Sequence, residues 1–152
     1  MDTIPVTDLS SVPWMLILWM PVGALGEELG WRAYLHRKLD PAVSGLGSSL
    51  LVGAFWGVWH IGLYANGLLY MVFFIMLMMS YSVVMYALLA DVQFNLLLAA
   101  LFHWVINLTN LFSLSVINEL DFMIVNSLVW AVIAAGIVLV TKPRFLAGKS
   151  AS

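Results

Sequence analysis

Five hydrophobic segments separated by short polar breaks organise this chain. Residues 1–13 form a polar lead, and the apolar positions begin at Trp14, just behind Pro13, a residue tolerated in a first helical turn. The first segment is predicted as a helix over Trp14–Leu39, kinked at Pro21 and amphipathic toward its end, where Glu27, Glu28, Arg32, His36, Arg37 and Lys38 gather. Asp40-Pro41 stops it, because the residue before a proline is pushed out of the α region. The second segment, Gly45–Tyr64, runs up to the turn signal Asn66-Gly67. The third, Leu68–Ala90, carries no charged residue; the fourth, Val92–Leu114, follows Asp91; the fifth, Phe122–Thr141, precedes Lys142-Pro143-Arg144. Each is about 20 residues or longer, enough to cross a ~30 Å hydrocarbon core. The predicted architecture is an all-α, polytopic membrane bundle of about five spans. Its membrane-embedded core is residues 14–141, and 142–152 form a basic cytoplasmic tail.

Composition sharpens this picture. Of 152 residues 63% are hydrophobic and 9% charged, against roughly 45–50% and 25% in soluble domains. So few charges cannot coat a soluble globule, which excludes a soluble enzyme. Six Lys and Arg with no run, in a chain of net charge −2, exclude a nucleic-acid partner. The absence of cysteine removes disulfides, thiolate metal sites and a thiol nucleophile. The first residues carry Asp2 and Asp8 where a secretory signal needs Lys or Arg. Basic residues set an orientation: with the Arg37-Lys38 loop in the cytoplasm, Lys142, Arg144 and Lys149 join it, and the other face keeps only neutral or acidic loops. This places the N-terminus outside, and the expectation is a truncated chain or the C-terminal core of a longer protein. A site reached from the cytoplasm would suit prenylated or cytoplasm-facing segments.

Ionisable groups deep in a bilayer cost about 2.5–3.5 kcal/mol each on insertion scales, so they mark function by default. In Glu27-Glu28-Leu29-Gly30-Trp31-Arg32, Glu28 and Arg32 are spaced i, i+4 and can neutralise each other, whereas Glu27 points about 100° away without such a partner. His60 follows Trp56 by one turn, and His103 precedes Asn107 by one turn. Each has a plain alternative: an interfacial turn, a packing histidine, an interhelical hydrogen bond. Depth argues for a shared site. At 1.5 Å per residue, Glu27 lies roughly 18 Å from the cytoplasmic end of its segment, His60 roughly 22 Å into the second, and His103 and Asn107 roughly 16 and 22 Å into the fourth. His36, beside Arg37, reads as an ordinary interfacial residue.

A carboxylate with a histidine can deprotonate water, and a second histidine with an amide can donate to an oxyanion, which together describe hydrolysis of a carbonyl compound such as a peptide. The sequence holds no His-Glu-x-x-His zinc motif and no pair of intramembrane aspartates. Gly47-Ser48-Ser49-Leu50 offers a weak Gly-x-Ser match, with Ser49 about 6 Å into its segment and far from the histidines.

At these residues the chain resembles the CPBP family of CAAX-protease and bacteriocin-processing (ABI) membrane proteins, which includes the type II CAAX prenyl endopeptidases. Glu27, Glu28 and Arg32 match its Glu-Glu-x-x-x-Arg motif, Trp56 to His60 its Phe-x-x-x-His motif, and His103 to Asn107 its His-x-x-x-Asn motif. The resemblance implies an intramembrane endopeptidase in which Glu27 and His60 activate water, His103 and Asn107 stabilise the oxyanion, and Glu28, Arg32 and Trp56 support them. Trp56 departs from the usual Phe, a change expected to matter little, and the helices that ordinarily precede the first motif are absent. It also implies membrane-associated peptide substrates, prenylated-protein-like or bacteriocin-like, and a multi-pass protein of a prokaryotic cell membrane. No cofactor is expected, although Glu27, His60 and His103 form a set zinc would accept. The alternatives are a non-catalytic immunity or partner-binding membrane protein on the same scaffold, and a small proton-coupled transporter.

Overall fold

A computed structural model of the chain describes residues 14–113, 115–142 and Phe145. The polar lead and most of the basic tail lie outside the described residues. The described residues contain helices and no strands, and they form an all-α membrane bundle.

The first hydrophobic segment is helical over its whole predicted extent, but its winding changes. Helix α1, Trp14–Glu28, continues through Pro21 and passes at Glu28 into a π-helix, Leu29–His36, before the short α2, Arg37–Leu39. Such wide turns are rare and concentrate at functional sites. Here the π-helix aligns Arg32 and His36, both buried, behind the buried Glu28.

Helix α3 spans Gly45–Trp59, with the Ser44 hydroxyl accepting from the Gly47 amide at 3.1 Å as its N-cap. It ends five residues before the predicted Tyr64. His60 leaves the helical region, a 3-10 helix covers Ile61–Asn66, and Gly67 turns the chain with φ +98, a left-handed conformation that favours glycine. Hydrophobicity continues unbroken across this change, so periodicity alone could not locate it. Helix α4, Leu68–Leu89, is followed by a 3-10 turn, Ala90–Val92. Gln93 and Phe94 then take positive φ, which delays α5 to Leu96–Phe112, capped by Asn95. The Phe94 conformation, costly for a bulky residue, is fixed by tertiary contacts: its ring stacks on His36 at 4.8 Å, and Arg37 donates to the neighbouring Gln93 carbonyl at 2.8 Å. Helix α6 spans Leu120–Val140.

Helix α4 packs between α3 and α6, while α1 lies along α5. The α3–α4 crossing is close because α3 presents glycines: a Cβ on Gly53 would meet the Met78 carbonyl oxygen at 2.7 Å, and one on Gly57 would meet Ile75 Cα at 2.9 Å. Opposed to this tight seam, the outer faces are apolar and exposed, including Trp14, Leu18 and Trp19 of α1, Leu97 and Leu101 of α5, and Val132 and Val140 of α6. A patch of that extent suits lipid rather than water. Leu68–Val92 and Leu120–Val140 are long and apolar enough to span a membrane, with mean hydropathies of 2.2 and 2.4. Helix α3 and Leu96–Leu111 are shorter and also apolar.

The bundle has two distinguishable ends. At one, Asp40 accepts from Tyr86 at 2.9 Å, Arg37 reaches Gln93, and Phe145 packs on Tyr86. At the other, Asn66 donates to Asn118 at 3.2 Å and Tyr70 to the Ile117 carbonyl at 3.0 Å. The basic loop and the unbasic turns therefore sit at opposite ends.

Candidate active site

The junction of α1 with the π-helix carries the centre of the site, because this stretch is wedged against both α3 and α5. Glu28 and Arg32 are fully buried, and Arg32 Nη1 donates to Glu28 Oε1 at 3.0 Å. The same oxygen meets His103 Nδ1 of α5 at 2.9 Å. Desolvating either ion costs several kcal/mol, which only pairing and further contacts can offset. Arg32 finds one such contact over the Trp56 ring, 4.5 Å from its centroid. With Glu28 ionised its oxygens only accept, so His103 donates through Nδ1 and its Nε2 remains for another partner.

Trp56 of α3 connects the rest. Its indole Nε1 donates to Glu27 Oε2 at 2.9 Å, and its carbonyl lies 2.7 Å from His60 Nδ1. Its ring stands edge-on to His103 at 4.9 Å. A carbonyl oxygen has no proton to give, so His60 Nδ1 carries the hydrogen and Nε2 of the neutral ring is left with a free lone pair. His60 is further held edge-on against Phe74 at 5.0 Å.

Beside these groups is a cavity of about 180 Å³ lined by Trp56, His60, His103 and Asn107, among others. Its remaining polar lining comes chiefly from Asn110, Asn118 and Asn126, over apolar walls that include Phe74 and Met123. Asn118, the exposed member, lies at the bundle end opposite Arg37 and Lys38. The one exposed lining residue among those described thus lies at the end away from the basic loop, from which the sequence predicts entry.

The structure thus gathers Glu28, Arg32, Trp56 and His103 in direct contact, and brings His60 and Asn107 to the same cavity. Glu27 joins through Trp56 and makes no hydrogen bond to His60. It is not without a partner, as its spacing had implied, because the indole donor lies on another helix. His60 is not inside a helix but caps one. His36, expected as an ordinary interfacial residue beside Arg37, is fully buried between Tyr86 and Phe94, and neither ring nitrogen has a partner among the described residues. Its i+4 spacing from Arg32 was the available signal. Ser48 and Ser49 turn their hydroxyls back onto the Gly45 carbonyl, at 3.1 and 2.6 Å, which leaves neither aimed at the cavity. Among the described residues no group of three or more His, Asp or Glu side chains is placed so as to hold a metal ion. Asn110, Asn118 and Asn126 went unread, since scattered asparagines near helix ends look like turn and cap residues.

Helices and cluster together define an all-α membrane protein built around an internal polar site. The profile of the family described as type II CAAX prenyl endopeptidase Rce1-like matches residues 9–109, a stretch that includes every motif residue from Glu27 to Asn107. The chain is also 30% identical over 150 aligned positions to CAAX prenyl protease 2 of Methanococcus maripaludis, covering 91% of this chain and 53% of that protein. It thus spans about half the length of the curated relative it matches. The chain belongs to the Rce1-like family of type II CAAX prenyl endopeptidases.

Proposed function

We propose that this protein is a multi-pass membrane endopeptidase that hydrolyses peptide bonds in membrane-associated substrates, of the CAAX-prenyl-protein-like or bacteriocin-like kind. The observation that carries this reading is the single cavity shared by His60, His103 and Asn107, with Glu27 one indole away. The family name and that of the archaeal relative support the reaction class.

In the proposed reaction, Glu27 and His60 hold a water, and His60 Nε2, left basic by the Nδ1 contact with Trp56, takes its proton as the oxygen attacks the peptide carbonyl. The Asn107 amide and His103 Nε2 donate to the oxyanion. Glu28 fixes the His103 ring and balances its charge while it donates through both nitrogens, and Arg32 holds Glu28. Collapse of the tetrahedral intermediate breaks the C–N bond, with the proton returned from His60 to the leaving amine. No resident metal is part of the proposal.

The Glu28–His103 contact favours a second reading, in which that dyad, with His103 Nε2 as base, activates the water instead. One experiment addresses both. Purified protein is assayed on a membrane-peptide library beside Glu27→Gln, His60→Gln and His103→Gln, with and without exhaustive chelation. Loss of a general base commonly costs about 10²–10⁴-fold. The expected result is that loss in Glu27→Gln and His60→Gln, a smaller one in His103→Gln, whose amide still donates, and no effect of the chelator. A folded Glu27→Gln with wild-type turnover overturns the main reading. A larger loss at His103 than at His60 selects the second, and activity restored to chelated protein by zinc replaces both with a metalloprotease.

A further inference from the structure

Four asparagines line the cavity, and they are not equivalent. Asn118 is held by Asn66 at 3.2 Å, and the Asn126 amide is engaged by the Tyr81 hydroxyl. Asn107 and Asn110 line the same cavity with side chains that have no hydrogen-bond partner among the described residues. Asn107 already has a place in the proposed reaction. Asn110 does not, and its half-buried amide lines the cavity together with apolar residues such as Ile106 and Met123, open to solvent or to whatever occupies the cavity.

Resting on the endopeptidase reading above, we propose that Asn110 pairs with the backbone of the substrate peptide and aligns the chain for cleavage beside Asn107. The side-chain amide presents one carbonyl and one NH₂, the complement of a peptide group's N–H and C=O. Asn107 and Asn110 are spaced i, i+3, so they share a helix face and are offset by about 4.5 Å along α5. An extended peptide advances about 3.3 Å per residue, so the two amides address groups within one or two residues of each other on one strand. Backbone pairing reads no side chain, and the adjoining apolar walls are left to choose among substrates. Asn110 is a positioning residue here, and its loss weakens binding more than chemistry.

The test uses a membrane peptide that the wild-type protein cleaves, together with its depsipeptide analogues, in which single amides flanking the scissile bond become esters and lose the N–H donor. Asn110→Ala is expected to raise KM about 3- to 10-fold, the loss of one hydrogen bond, with kcat within about two-fold. One ester position should raise KM on the wild type by a similar factor and have little further effect on Asn110→Ala, a non-additivity that a merely structural role would not produce. Unchanged KM in Asn110→Ala, or ester effects that all multiply with it, overturns the inference while an inactive Glu27→Gln leaves the endopeptidase reading standing. A fully active Glu27→Gln overturns the endopeptidase reading, and this inference falls with it.

Discussion

Replacing Trp56 with Phe isolates one hydrogen bond in the proposed site. The benzene ring can keep the aromatic contacts that Trp56 makes with His103 at 4.9 Å and Arg32 at 4.5 Å, and His60 still has the residue 56 carbonyl to bind. What is lost is the indole N–H that donates to Glu27 at 2.9 Å. A hydrogen bond to an ionised group contributes about 1.5–3 kcal/mol. Glu27 is only half-buried, so water can replace part of the donor and the lower end applies. The expected cost is about 1.5 kcal/mol, or about ten-fold in kcat/KM. Phe is also the residue in the family motif that this chain departs from, so the substitution should weaken the site without abolishing it. Trp56 is buried, and the smaller ring leaves space that lowers stability by about 1–2 kcal/mol; thermal unfolding in detergent measures that separately. The decisive comparison repeats the substitution in a Glu27→Gln background, where the charged acceptor is gone and the further loss should shrink below about two-fold. An equal loss in both backgrounds, or a folded Trp56→Phe protein with wild-type kcat/KM, refutes the idea that the indole positions the carboxylate.

Two further outcomes follow from the same geometry. Arg32→Ala leaves Glu28 buried with one partner fewer, which for a broken buried pair costs about 3–5 kcal/mol; the yield of folded protein and its melting temperature should fall, and a variant that melts like wild type removes the pair from the account of the fold. In the cysteine-free chain, Ala42→Cys and Ser115→Cys, both at exposed positions, should react with an impermeant thiol reagent from opposite sides of the membrane, and labelling of both from one side contradicts the two-ended bundle.

Much of this architecture was legible in the chain because lipid imposes a simple rule: apolar runs long enough to span become helices. The positions of all five hydrophobic segments follow from it. Their ends do not. Trp59, His60 and Ile61 are equally compatible with helix and with the 3-10 turn that replaces it, and the delay of α5 to Leu96 comes from Phe94, whose left-handed backbone is held by His36 from a distant segment. Likewise the Glu28–Arg32 pair was readable because both partners lie one turn apart on one helix. The indole donor of Glu27 is 29 residues away in sequence, and the Glu28–His103 bond crosses 75. No local spacing encodes such contacts. The π-winding of Leu29–His36 had no visible pattern either, and it is this segment that presents Glu28, Arg32 and His36 inward together.

Charge balance explains how such a cluster can persist in hydrocarbon and still favour a reaction. Glu28 faces both Arg32 and the His103 ring that donates through both nitrogens in the proposed reaction, while Glu27 sits at the half-buried edge where water and an indole N–H share its charge. In the proposed mechanism, proton transfer from water to His60 creates a cation near Glu27, and the oxyanion forms beside His103 in its doubly protonated state. The two new charges of the tetrahedral intermediate are therefore each faced by an opposite one already in place. Residues such as Glu28 and Arg32, which never touch substrate in this scheme, act by holding that field without reorganisation during the step. Their burial, costly for the fold, keeps water from relaxing it.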